Sequence, residues 1–368
     1  MFTRETKTYL VSINFFKWAL FVFLLAAVAV RVHVSTPRLV EGQKYLLRGA
    51  VSSEPVHYET QSRIVINGVR AYVPRYPEVS IGDYLEVKGE YARFALRKAV
   101  VEKHIKSQSF LYTLRSRVLG IFENNLPRDD AALVSGVVLG SQKGISEEFN
   151  LVLRKAGVVH VVVASGTNVV FVSAFCMGVF LLFFKRRSAL VLSIASIWLY
   201  VLLSGFSPPL VRAALMGSVA AFAVVSGKIS TGIRNLFFAC VAMLLVKPVW
   251  AADLGFVMSV LASLGLILFE SKINSKLLFV PKIVRQDLST TLAAQVGVLP
   301  VLIGVFGNFN VLSPVVNVLV LWTIPPIMII GSLSAVLGLV FEPLGGIFLF
   351  LVYPLTQWFI SLARLFGA

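Results

Sequence analysis

The residues with the chemistry to cut or ligate are few. Four histidines occur, His33, His57, His104 and His160, and their surroundings match no HxxEH, HExxH or HxHxDH arrangement, so no hydrolytic metal site is expected. No GxxxxGK[ST] run is present, so ATP hydrolysis by a P-loop is not expected either. His160 and Ser165 invite comparison with an intramembrane serine hydrolase. Five residues along one helix is a rotation of about 140°, so the two face each other only if the helix breaks between them. Polar residues satisfying a broken helix are the simpler reading, and no catalytic residue, cofactor or metal is assigned.

The charges inside apolar sequence carry more. Arg212 is the single charged residue between Ser188 and Gly227, and Asp253 opens the apolar run that follows Pro248. Each is either a helix-end residue reaching for headgroups or a group facing the bundle interior, since lipid exposure of a charge costs several kcal/mol. An Arg212–Asp253 pair is one expectation. Gln295 and Asn317 are read as polar glue between helices.

These residues sit in a chain of 368 residues that is 57% hydrophobic and 14% charged, with a mean hydropathy of +0.83. Soluble chains carry about 25% charged residues. From Leu288 to Phe341 there is no charge at all, enough to cross a bilayer twice at about 20 residues per span. A soluble enzyme, a disordered tail and a secreted disulfide scaffold are excluded. The formal charge of +16, from 34 Lys and Arg against 18 Asp and Glu, is first a topological signal and second compatible with a polyanionic partner. Cys176 and Cys240 lie in apolar runs and read as small buried hydrophobes.

The first apolar run, residues 15–34, follows Arg4, Lys7 and Lys17. It reads as an uncleaved anchor (domain 1–34), with cleavage after Ala27-Val28-Ala29 as the alternative. Either sends the next segment across the membrane. That segment, 35–106, alternates apolar and polar residues in five stretches: 45–51, 62–66, 69–73, 84–91 and 99–105. Asn67-Gly68 between two of them is a strong hairpin signal. Five short strands in this length predict a small β-barrel of the OB type. The segment holds 12 Lys and Arg against 8 Asp and Glu. Tyr58, Tyr72, Tyr76, Tyr84, Tyr91 and Phe94 are its aromatics, and the barrel core is expected to take about half of them.

Residues 107–157 turn helical. Leu111, Leu114, Val118 and Ile121 keep amphipathic spacing, Asp129-Asp130 opens a second helix, and Ser146-Glu147-Glu148 opens a third. These helices are expected to lie in the interface or to pack on the bundle. Eight further apolar runs fill 158–368, giving about nine spans with the first. Two of them, 158–184 with Ser165-Gly166-Thr167-Asn168 and 311–341 with Pro325-Pro326, are expected to be broken. Breaks at membrane depth are tolerated where they are buried in protein or line a watery cavity. Basic residues mark every second loop: Lys185-Arg186-Arg187, then Lys228 and Arg234, then Lys272, Lys276, Lys282 and Arg285. The positive-inside rule puts these loops and the amino terminus in the cytoplasm, and the β-domain outside.

Together these positions resemble the ComEC family of competence proteins. The family's Gly-x-x-His followed by a Ser-Gly turn is matched by Gly157, His160, Ser165 and Gly166, with Thr167-Asn168 where Leu-His is usual. Its Pro-x-x-Arg-Ala-x-x-Met signature is matched by Pro209, Arg212, Ala213 and Met216, after Pro208. Arg234, Pro248, Asp253 to Ser259, Gln295, Pro300, Phe306-Gly307, Ser313-Pro314 and Asn317 follow in the family's order.

The resemblance implies an α-helical polytopic membrane protein with an extracellular OB-like domain after the first span. It implies a channel in the bacterial cytoplasmic (inner) membrane that passes single-stranded DNA during natural transformation. The OB-like domain would meet the strand, with Arg63, Arg70, Arg75, Arg93 and Arg97 as phosphate contacts. Many members carry a metallo-β-lactamase-like domain after the competence region. This sequence lacks its histidines, so a separate nuclease is the expected partner. An extracellular DNA receptor and a cytoplasmic DNA translocase complete the set, because no motor is encoded. The competing classes are a small-solute or lipid-precursor transporter with a β gating domain, and an assembly scaffold.

Overall fold

A computed structural model describes residues 22–34, 39–58, 60–107, 109–163, 165–306 and 312–367. The amino-terminal part of the expected anchor lies outside them. Its remainder forms helix α1 (Val22–Val34).

Six strands follow: β1 (Lys44–Ala50), β2 (Val56–His57), β3 (Gln61–Ile66), β4 (Val69–Pro74), β5 (Tyr84–Ala92) and β6 (Ala95–Ile105). They form one sheet in the order β1-β5-β6-β4-β3-β2. All pairings are antiparallel except β4 with β6. A bridge between Val51 and Ile66, with Ser52 N–H donating to Val65 O at 2.9 Å, carries the end of β1 back to β3 and curls the sheet into a small barrel. Asn67 and Gly68 both have positive φ, 49° and 80°, as a two-residue hairpin of type I′ requires.

The core is aliphatic, built on Val51, Ile64, Ile66, Val73, Leu85, Val87 and Leu96. This corrects the expectation for the aromatics. None of the six is buried; Tyr76 and Phe94 are 71% and 84% exposed, and only Tyr91 packs against the core. Strand β6 also begins four residues before the predicted 99. Ala95 and Leu96 are consecutively buried and Arg97 and Lys98 consecutively exposed, with Lys98 at φ 48°. That irregularity breaks the period-2 pattern.

The rest is helical: α2 (Phe110–Asn125), α3 (Arg128–Leu139), α4 (Glu147–Ala156), α5 (Val159–Val162), α6 (Gly166–Phe183), α7 (Arg186–Leu203), α8 (Pro208–Val225), α9 (Gly232–Val246), α10 (Leu254–Lys276), α11 (Lys282–Val301), α12 (Ser313–Leu321), α13 (Ile324–Val340) and α14 (Glu342–Gly367). A 3-10 turn, Pro248–Ala252, joins α9 to α10, and a π turn, Leu302–Phe306, follows α11 beyond Pro300.

Six helices are long and apolar enough to cross a membrane, or seven if α12 and α13, bent by 45° at their junction, count as one. The nine expected spans all fall on apolar helices, but α1 and α9 are shorter. The 15 residues of α9 reach about 22 Å against a hydrocarbon core of about 30 Å. The bend precedes Pro325-Pro326, which occupy the first turn of α13, where missing amide donors cost nothing.

Helices α2 to α4 pack on the bundle, and α3 enters its core. Ten of its 12 residues are buried, and Val134 and Val138 fill the space over Gly331 of α13. Arg115 of α2 is 5% exposed. It pairs with Glu54 of the barrel at 2.7 Å and donates to Leu139 O at 2.8 Å and Leu203 O at 2.5 Å. The barrel seats through small residues at three more points: Gly68 on Val249, Gly82 on Tyr112, and Gly205 on Ile81. Two of these seats are the α7–α8 and α9–α10 connections. The basic connections α6–α7, α8–α9 and α10–α11 are the alternate ones.

Candidate functional site

Helix α4 ends at Gly157, whose φ of +76° caps it in the left-handed region. The four residues of α5 follow, and the chain breaks before α6. Ser165 Oγ donates to Asn168 Oδ1 at 3.0 Å, and Asn168 Nδ2 donates to Val137 O of α3 at 3.0 Å. The expected break is therefore present and its polar residues hold it. Among the described residues no hydrogen bond joins His160 to Ser165. His160 is exposed while Val161 and Val162 beside it are buried.

From this break the contacts run in a closed circuit. A Cβ on Gly166 would lie 2.9 Å from Arg212 Nη2, so the glycine makes room for the guanidinium of α8, whose first turn holds Pro208 and Pro209. Arg212 is 9% exposed. Its Nε donates to Ser259 Oγ of α10 at 2.9 Å, and Nη1 reaches Ser263 Oγ of the same helix and Met216 Sδ at 3.8 Å. Helix α10 meets α11 where Gly265 and Gly297 bring the backbones into contact. Gln295 of α11 donates to Ser313 Oγ of α12 at 3.2 Å, and Ser313 donates to Gly157 O at 3.1 Å. A Cβ on Gly157 would strike that serine. The circuit thus passes from α4 and α5 through α6, α8, α10, α11 and α12 and back to Gly157.

Two expectations are corrected here. Asp253 does not pair with Arg212. It caps α10, accepting from Phe256 N–H at 2.8 Å, and Ser259 stands about 9 Å further along the helix. Asn317 does not act as glue. It is 1% exposed on α12, and neither amide atom has a partner among the described residues. Buried polar groups without partners are rare and mark ligand or water positions.

Asp130 carries a feature the sequence pattern hid. Asp129 pairs with Arg364 at 2.7 Å, but Asp130, only 2% exposed, accepts from Thr356 Oγ1 at 2.6 Å and from Gln357 Nε2 at 2.8 and 2.9 Å. Among the described residues no three His, Cys, Asp or Glu side chains converge as a metal site would need.

On the barrel, Arg63 and Tyr72 are cross-strand partners, as are Val65 and Arg70, and all four point away from the core. The Arg97 guanidinium lies 4.1 Å above the Tyr72 ring, and Tyr58 stands 6.4 Å from it. Arg75 donates to Tyr58 O at 3.4 Å and lies 5.9 Å from the ring of Tyr76. Arg93 sits in the β5–β6 turn with its N–H on Glu41 Oε1 at 3.2 Å. Four of the five predicted arginines therefore cluster about Tyr58 and Tyr72, and the fifth lies in the turn next to the partner of Arg70, Ala95.

The family model described as Competence protein matches residues 137–368, which contain the whole circuit. A curated relative, "ComE operon protein 3" of Bacillus subtilis (strain 168), is 29% identical over 214 residues, 56% of this chain and 26% of that protein. The chain thus spans about a quarter of the length of the curated relative it matches. No solved structure matches.

Proposed function

Because the chain belongs to the Competence protein family, matched over more than half its length, we propose that it passes single-stranded DNA across the bacterial cytoplasmic membrane. The family supports a role in competence and DNA uptake. The observation that carries the finer reading is the arginine–tyrosine face of the barrel, on a domain seated against the connections that alternate with the basic ones. With basic loops in the cytoplasm, the barrel stands outside and meets an entering strand first. Arginines over tyrosine rings offer phosphates a cation and bases a stacking surface, without preference for sequence.

Within the bundle, a polyanion needs donors and few free carboxylates. Arg212 supplies the charge, Asn317 an unpartnered amide and His160 an exposed ring. Asp253 is already engaged by an amide of its own helix, and Asp130 by Thr356 and Gln357 of α14. A receptor outside would deliver the strand, and a translocase inside would pull it.

Deleting the gene in its host and following labelled DNA tests this. Loss of cytoplasmic uptake with surface binding retained is expected. Normal uptake would overturn the proposal and leave transport of another solute.

A further inference from the structure

Beneath the barrel, the α7–α8 and α9–α10 connections bring two rings together, beside a third from α7. Phe206 and Trp250 are stacked with centroids 6.4 Å apart and planes at 27°, and Trp198 continues the group 6.5 Å from Phe206. Lys247 Nζ stands in front of both inner rings, 5.4 Å from Phe206 and 5.2 Å from Trp250. All three rings are half-buried and the lysine is exposed. Phe206 is held at φ +58°, a region bulky side chains rarely adopt. Its N–H is tied to Val201 O at 3.0 Å.

Trp and Lys also gather at lipid headgroups as an interfacial belt. Two observations favour a different use here. The barrel rests on the residues flanking the rings, Ile81 against Gly205 and Gly68 against Val249, so the cluster lies at the seam between barrel and bundle. The lysine is folded over the rings, and among the described residues it has no carboxylate partner.

Resting on the proposed passage of single-stranded DNA, we propose that Trp250 and Phe206 form a second stacking station. A base leaving the Tyr72 face stacks on these rings, and its phosphate pairs with Lys247 before the strand enters the helix circuit.

The test uses the full chain in nanodiscs of zwitterionic lipid with a 5-iodouracil-substituted oligodeoxynucleotide, cross-linked by light and mapped by peptide mass. Cross-links at Trp250 or Phe206 are expected. Trp250→Leu should weaken binding by about 5- to 150-fold, the range of one base–aromatic stack, and Trp250→Phe should retain most of it. Lys247→Gln, which leaves the rings in place, should lower the salt dependence. Cross-links confined to Tyr58 and Tyr72, with affinity unchanged in Trp250→Leu, would overturn the station and leave the DNA reading standing. No binding of the strand at all would overturn both.

Discussion

Arg212 and Ser259 join α8 to α10 by a 2.9 Å hydrogen bond from Nε to Oγ, and Ser263 one turn on takes the same guanidinium at Nη1. A charge this deep stays only if its donors are met. Hydrogen bonds to charged groups contribute about 1.5–3 kcal/mol. Ser259→Ala and Ser263→Ala should therefore each destabilise the purified protein by roughly that amount in denaturant melts. Exchanging charges, Arg212→Asp with Asp253→Arg, should give no rescue, because the two residues do not meet.

The α10–α11 crossing depends on having no side chain at one point. A Cβ on Gly265 would strike Ala293 O, and overpacking costs about 1–3 kcal/mol. Gly265→Ala should lower the melting temperature and reduce uptake. Gly120→Ala in α2, where nothing lies within 4 Å, should be neutral or stabilising by about 0.4–1 kcal/mol.

The arginine–tyrosine face should behave as a phosphate contact. Replacing Arg63, Arg70 and Arg97 by Gln should weaken binding of strands of any sequence. The slope of log affinity against log salt should fall by about 2, at about 0.7 per contact. An unchanged slope would move the contact off this face.

How much of this face the sequence announces differs residue by residue. Arg63 and Arg70 alternate with Ile64, Ile66 and Ala71, so their outward direction follows from the strand period. That Tyr58 and Tyr72 join them does not follow, because an aromatic suits the core or the surface equally and only the aliphatic filling decides. The helix break at Ser165 and the hairpin at Asn67-Gly68 are local chemistry and are legible. The burial of Asp130 and Arg115 is not. Their partners, Thr356 and Glu54, lie 226 and 61 residues away, and local charge patterns point both residues to solvent.

Burial holds His57 below its ordinary value of about 6.5, with Glu78 opposing in part. Its Nδ1 lies 2.8 Å from Ser62 Oγ. The folded barrel thus favours the neutral ring. The sign follows: this contribution is complete above about pH 6.5 and is lost as pH falls through the lower folded value. Protection of residues 56–66 from hydrogen exchange in the full chain, corrected for intrinsic rate, should fall below pH 6. His57→Gln should flatten that dependence.

The passage of a strand through the helix circuit is the central claim, and one measurement addresses it. A photoreactive residue replaces His160, on α5 of the circuit, or Leu182, 77% exposed on α6, and cells taking up DNA are illuminated. The account predicts DNA cross-linked at position 160 and none at 182. Capture at neither position, or equally at both, would contradict it.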